Sequence, residues 1–175
     1  MFPFGIIHLG CDELPPGVWE KSPAIEKLKF EQALKTTDDV QEWIMQKAAK
    51  ILVEAGARPA AWEEAGRGNK GGIGNDALLF SWSGQEPGLK AAREGYEVVM
   101  SPAQHVYFDM AQSENPLDRG VSWAAIVSME DALTWDPVPL DEPELEQNII
   151  GIQGALWSET IIKDIPRKIK CSVHE

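Results

Sequence analysis

The apolar positions of the chain fall into short, mostly unbroken runs and one long helical stripe. Residues 6–10, 58–62, 77–82, 96–100 and 149–157 are runs of the first kind. They lack regular apolar–polar alternation, as do parallel strands covered on both faces. Val40, Trp43, Ile44, Ala48, Ile51, Leu52 and Ala55 recur at helical spacing. Thr36 or Thr37 caps that helix, Asp38 and Asp39 suit its positive end, and Gly56 stops it. Ser22 and Pro23 open an earlier helix, with Ile25, Leu28, Ala33 and Leu34 facing inward. Residues 87–94 predict a further helix, closed by Gly95. The glycine-rich stretch 66–74 reads as a mobile loop and lacks the pattern of a phosphate cradle. Residues 101–148 form a long excursion carrying Tyr107, Asp109, Trp123 and a short helix around 128–133. Loops of that length are often functional.

Strands separated by helices imply an α/β parallel array, in which the carboxyl ends of the strands converge on one face. Here those ends deliver polar or indole groups repeatedly: Asp12 and Glu13, Trp62, Trp82, Trp157 and Glu159. Within a strand, adjacent side chains point to opposite faces. Asp12 and Glu13 therefore share a pocket only if the backbone turns just past residue 10. Two carboxylates so close hold one proton more tightly, leaving one acid and one anion. An exposed Asp-Glu opening a loop is the plainer alternative.

Composition narrows the chemistry. The length of 175 residues fits one domain with a real core. A net charge of −12 argues against nucleic acid, whose phosphates need Lys and Arg, and favours a neutral substrate. No apolar run approaches the roughly 20 residues of a membrane span, so no membrane partner is expected. Cys11 and Cys171 form neither a disulfide framework nor a metal spacing. His8 lies near Asp12 and Glu13, but the other histidines are too distant in sequence for a standard metal set. No metal or other cofactor is expected. The seven tryptophans are the unusual feature. They suit either packing or a pocket walled by indole faces, which sugar rings and acetyl groups prefer.

At this point the residues resemble a known family. His8-x-Gly10-x-Asp12-Glu13 is similar to the signature of glycoside hydrolase family 20, the β-N-acetylhexosaminidases, with Cys11 in place of a second glycine. Further blocks follow in the family's order: Ala61-Trp62-Glu63-Glu64, Phe80-Ser81-Trp82, Ser101-Pro102 with Tyr107-Phe108-Asp109, and the stretch from Gly151 through Trp157 to Glu159. The resemblance implies a partial (β/α)8 barrel of the TIM type, approximately strands four to eight. Residues 1–175 would then be one domain, the C-terminal portion of a catalytic barrel whose first strands are absent. It implies Glu13 as general acid, Asp12 orienting the substrate acetamido group, and Tyr107 bonding its oxygen. Trp62, Trp82 and Trp157 would line the acetyl pocket and sugar face. Asp109 and Glu159 would bind hydroxyls, and Trp123 would lie under a second sugar. The implied reaction removes terminal β-linked GlcNAc or GalNAc with retention, through an oxazolinium intermediate. Such enzymes depart from the usual two-carboxylate scheme, because the acetamido group is the nucleophile. Trp123 leans the substrate toward chitooligosaccharides. The alternative is a folded, non-catalytic barrel fragment with weak carbohydrate binding. Family members are often periplasmic, secreted or lysosomal, and this sequence leaves the compartment open.

Five strands without closure leave two open edges, which offer unpaired N–H and C=O groups to other chains. Apolar strand faces would lose packing as well. The chain is therefore expected to self-associate through its edges, or to depend on a partner segment, and to be nearly inactive alone. Light scattering across a concentration series, beside a turnover assay, checks this. A dilute monomer with high activity would contradict it.

Overall fold

A computed structural model describes residues 5–67 and 71–158. Five strands, β1 (Ile6–His8), β2 (Arg58–Trp62), β3 (Leu78–Ser81), β4 (Glu97–Met100) and β5 (Ile149–Ile152), form one sheet in sequence order. All four pairings are parallel, with Ala61 opposite Leu79 and Leu79 opposite Val98. This is the α/β arrangement that the apolar runs predict, and it is part of a TIM-type barrel. The last run is shorter as a strand than its sequence suggests. Beyond β5 the chain leaves the sheet and runs beside the excursion, where Tyr107 and Ala155 form an isolated parallel bridge.

Helices α1 (Pro23–Gln32) and α2 (Thr37–Glu54) lie between β1 and β2, and α3 (Gln85–Arg93) lies between β3 and β4. Helix α2 packs against β2, and α3 against β3 and β4. Leu79, Val98, Met100 and Ala61 are fully buried beneath Met45, Ala49, Leu89 and Ala92. Thr36 caps α2 in a reciprocal box. Its Oγ1 accepts from the Asp39 N–H at 3.0 Å, while Asp39 Oδ2 accepts from the Thr36 N–H at 2.9 Å.

The inward face of α2 differs from the apolar stripe. Ile44 and Ile51 are exposed, whereas Val40, Met45, Ala49 and the polar Glu42 are buried. The reason is polar demand from neighbouring turns. Glu42 Oε1 accepts from the Gly72 N–H at 3.1 Å, and Gln41 reaches Cys11. Likewise α1 buries no residue fully. Ile25 and Leu28 are half-covered, Ala33 is exposed, and Leu34 alone of the expected set is buried, beyond the helix end.

The described part of the glycine-rich stretch is anchored, not free. Ile73 is buried in the core, and its N–H donates to the Ala65 carbonyl at 2.8 Å. Gly72 has φ +55°, and a Cβ there would meet the Gly66 carbonyl at 2.7 Å. Only glycine fits that crossing.

The excursion after β4 carries α4 (Ala103–Val106) and α5 (Met129–Thr134), the latter capped by Ser128 and Asp131. It builds a second small core of Ala103, Tyr107, Met110 and Val127. The outer strands are only partly covered, since Ile6 on β1 and Ile150 and Ile152 on β5 are exposed. Covering on both faces therefore holds for the middle strands and not for β1 and β5.

Gly88 tests the helix–sheet contact. A Cβ there would sit 2.5 Å from Met100 Sδ and 2.8 Å from Ser81 Cβ. Alanine gains about 1 kcal/mol of helix propensity. Overpacking against a strand costs roughly 1–3 kcal/mol, and Ser81 Cβ cannot move without its strand. Gly88→Ala is expected to lower the urea midpoint, although the same change stabilises an ordinary helix.

Candidate active site

The Asp-Glu pair sits on a turn with unusual backbone. Gly10, Cys11 and Glu13 have φ of +75°, +92° and +49°. Two of the three are not glycine, and such residues favour φ above zero only under outside restraint. The sheet holds the turn's near side: the Leu9 N–H donates to the Ala60 carbonyl at 2.8 Å and the Trp62 N–H to the Gly10 carbonyl at 3.0 Å. His8 Nδ1 accepts from the Gly10 N–H at 3.1 Å. That bond needs a neutral imidazole, and burial lowers the His8 pKa against the pull of Asp12. The residue is exposed at the sheet edge, but its ring is covered edge-on by Trp62 at 5.0 Å and Phe80 at 5.1 Å, which is the source of that desolvation.

Asp12 and Glu13 open into a cavity of about 320 Å³ lined also by Trp62, Trp82, Tyr107, Trp123 and Trp157. The rings of the excursion meet in it. Tyr107 is 6.1 Å from Trp123 and 6.2 Å from Trp157, and Trp82 is 6.1 Å from Trp123, between centroids. Trp62 comes from β2, Trp82 from just past β3, Tyr107 from just past α4, and Trp157 from beyond β5. Four segments thus converge at the carboxyl ends of the sheet. A larger hollow of about 690 Å³, at the amino ends of the strands, includes Arg58 and Glu97, already paired at 2.7 Å.

Of the residues singled out from sequence, Asp12, Glu13, Trp62, Trp82, Tyr107, Trp123 and Trp157 share this one cavity. Asp109 does not line it. It is buried beneath, 6% exposed, with Oδ1 accepting from the Trp157 N–H at 3.2 Å and Oδ2 without a hydrogen-bond partner. Glu159 lies outside the described residues. His105 stacks on Trp135, with centroids 5.0 Å apart, and is not among the cavity residues.

Two glutamates escaped the sequence assignment. Glu63 is buried, and its Oε2 accepts from the Trp82 N–H at 2.8 Å while Oε1 accepts from the Ser83 hydroxyl. Glu64 accepts from the Trp82 indole N–H at 3.1 Å. Together they fix backbone and ring of one wall residue. The available signal was a second pair of adjacent carboxylates just past a strand end, laid out like Asp12 and Glu13. Burial, then the Glu63 charge, raises the Glu64 pKa. Burial likewise pushes the Cys11 thiol up to about 11, against the hydrogen bond from Gln41.

Tyr107 is 3% exposed. Burial, reinforced by the charges of Glu63, Asp109 and Asp12 and opposed by the Trp157 indole, pushes its phenol up to about 12. Its hydroxyl therefore stays a proton-bearing donor across the neutral range. Among the described residues, no three His, Cys, Asp or Glu side chains gather as a metal site.

The comparisons with known proteins agree on one family. Residues 1–169 match the profile of the glycosyl hydrolase family 20 catalytic domain. A β-hexosaminidase of Vibrio furnissii is 37% identical over 164 residues, covering 92% of this chain and 26% of that protein. A family 20 exo-β-N-acetylglucosaminidase from Vibrio harveyi, solved with N-acetylglucosamine, has a TM-score of 0.81 at 39% identity. That match covers 93% of this chain and 25% of the other. A β-N-acetylhexosaminidase from Bacteroides fragilis has a TM-score of 0.73 at 26% identity, covering 90% of this chain and 32% of the other. The chain thus spans about a quarter to a third of these relatives.

Tyrosine ionisation checks the electrostatics. The chain has two tyrosines, and burial raises Tyr96 as well as Tyr107. Unfolded phenols ionise near 10. The unfolded chain therefore loses phenol protons first, so folding stability falls as pH rises from about 10 towards the folded values. Tyrosinate absorbance at 295 nm is expected to reach half its full change above pH 10. A midpoint at or below 10 in the folded chain would contradict the assignment.

Proposed function

Because the chain belongs to glycosyl hydrolase family 20, we propose that it supplies the acid-bearing portion, approximately strands four to eight, of a β-N-acetylhexosaminidase barrel. Its substrate class is a glycan or chitooligosaccharide ending in β-linked GlcNAc or GalNAc. The observation that carries this is the meeting of Asp12, Glu13 and Tyr107 in one indole-walled cavity.

Glu13 donates a proton to the leaving glycosidic oxygen. Asp12 accepts from the acetamido N–H and stabilises the positive charge that develops as the acetamido oxygen attacks the anomeric carbon. Tyr107, held neutral by burial, donates to that same oxygen and fixes its approach. The product of attack is an oxazolinium ion, which water opens with net retention. The position of the carboxylates favours this route. Adjacent on one turn, they cannot flank the scissile bond as a two-carboxylate mechanism requires. Trp62, Trp82 and Trp157 enclose the acetyl methyl and sugar face. Asp109 acts one layer back from the sugar, holding the Trp157 N–H through Oδ1. Trp123, half-exposed at the rim, suits a second ring.

A second reading has its own support. Ile6, Ile150 and Ile152 are exposed on the sheet, so the chain alone could bind sugar weakly without turnover.

Matched chromogenic β-GlcNAc substrates with good and poor leaving groups decide between them. Glu13→Gln is expected to slow the poor leaving group by roughly 10²–10⁴-fold, the usual contribution of general acid catalysis, and the activated one much less. A substrate with a 2-hydroxyl for the acetamido group is expected to react far more slowly. Equal loss for both leaving groups overturns Glu13 as acid. Equal rates for the two substrates overturn acetamido participation, and no turnover by the unaltered chain favours the non-catalytic reading.

A further inference from the structure

We propose that Gln41 is a positioning residue: from α2 it grips the left-handed backbone at Cys11 and so aims Asp12 and Glu13 into the cavity. The inference rests on the reading of that cavity as the hexosaminidase site. Gln41 Nε2 lies 2.9 Å from the Cys11 carbonyl oxygen and 3.0 Å from Cys11 Sγ. A side-chain amide nitrogen has two N–H groups, so one group serves both acceptors. The orientation is not interchangeable, because the amide oxygen could not bond the Cys11 carbonyl.

The need for such a grip is in the backbone. Cys11, at φ +92°, and Glu13, at φ +49°, bracket Asp12. Each carries a Cβ that disfavours the conformation. The sheet restrains the turn as far as Gly10, whose carbonyl accepts from Trp62. Beyond Gly10, among the described residues, the side-chain hydrogen bonds reaching Cys11 come from Gln41. The gripping residue is itself on firm ground. It follows Val40, which is fully buried, and lies in the first turns of α2 above the Thr36–Asp39 box. A rigid helix thereby presents a two-pronged donor to the residue just before the carboxylate pair.

The role predicts a pattern that plain packing does not. Gln41→Glu keeps the size and shape of the side chain but replaces the two donors with a carboxylate facing a carbonyl oxygen. It should behave like Gln41→Ala. Cys11→Gly removes both the Cβ that makes φ +92° costly and the Sγ acceptor. The effect of losing Gln41 should therefore shrink in a Cys11→Gly background.

The experiment uses the 175-residue chain and these variants, at temperatures where circular dichroism shows all of them folded. The first readout needs no turnover. In a Cys171→Ser background, the rate of Cys11 modification by a disulfide reagent, taken per thiolate from its pH dependence because loss of the Gln41 bond itself raises the thiol pKa, is expected to rise at least about fivefold in Gln41→Glu and Gln41→Ala. Unchanged rates overturn the proposal. The second readout applies if the unaltered chain turns over. Both variants should lower kcat about tenfold or more, the scale on which misplaced catalytic groups act, with KM changed less. In Cys11→Gly the further loss from Gln41→Ala should stay within about threefold. An equal loss in both backgrounds, or a full-rate Gln41→Glu chain, overturns the proposal. Absence of turnover in the unaltered chain counts against the hexosaminidase reading alone, and the modification rates then decide the positioning role.

Discussion

Asp12 and Glu13 face one cavity because the backbone leaves β1 through a left-handed turn. An extended continuation would send neighbouring carboxylates to opposite faces. The turn costs about 1–2 kcal/mol for each non-glycine residue held at positive φ, and Cys11 and Glu13 both are. A typical hydrogen bond contributes about 0.5–1.5 kcal/mol net. The bonds from Trp62 to Gly10, from Gly10 to His8, and from Gln41 to Cys11 are therefore of the right size to offset the strain. They arrive from the next strand, the turn's own strand and a helix. No single element holds the turn, which is why the sheet, α2 and the site are one construction.

Negative charge organises the rest of the site. Around the cavity stand Asp12, Glu13, Glu63, Glu64 and Asp109, with Arg67 3.7 Å from Glu63 as a partial counterweight. Two of these carboxylates hold Trp82, and one holds the Trp157 backbone. Carboxylates used as anchors for indoles serve a second purpose through their field. After burial, the charges of Glu63, Asp109 and Asp12 push the Tyr107 phenol further up, and the same field favours positive charge developing nearby. A reaction passing through a cationic sugar gains from such surroundings, whereas an anionic substrate is repelled.

The strands were legible because parallel strands in a sheet's middle are apolar throughout, and the chemistry at their carboxyl ends followed from topology. What escaped was polar material facing inward. The stripe on α2 was misplaced because Gln41 and Glu42 face turns that need donors and acceptors, which a hydrophobic pattern cannot register. The glycine-rich stretch looked free because its composition gives no hint that Ile73 enters the core or that Glu42 binds Gly72. Asp109 was expected to bind a sugar hydroxyl on the family resemblance, which carries no information on burial. In the fold it lies under Trp157 and holds that residue's backbone N–H. Glu63 and Glu64 were visible as residues but not as anchors, since their partner Trp82 is 18 to 19 positions away.

The aromatic wall and the open sheet face depend on different contacts. Tyr107 packs with Ala103, Met110 and Val127, and Trp82 lies against that same small core. Backbone bonds tie the wall together: Phe108 N–H to the Ala155 carbonyl at 2.7 Å, and Ala155 N–H to the Val106 carbonyl at 2.9 Å. None of these contacts involves Ile6, Ile150 or Ile152, the residues exposed on the sheet. The Tyr107, Trp123 and Trp157 side of the wall is therefore assembled by the excursion and the segment after β5, whereas Trp62 and Trp82 come from β2 and the end of β3. The acid turn differs, because β1 is both its support and an outer strand of the sheet, paired on one side to β2. Whatever covers or loosens that outer strand acts first on His8 and Gly10, hence on the aim of Asp12 and Glu13 and on Trp62 beside them, while Tyr107, Trp123 and Trp157 are held by contacts of their own.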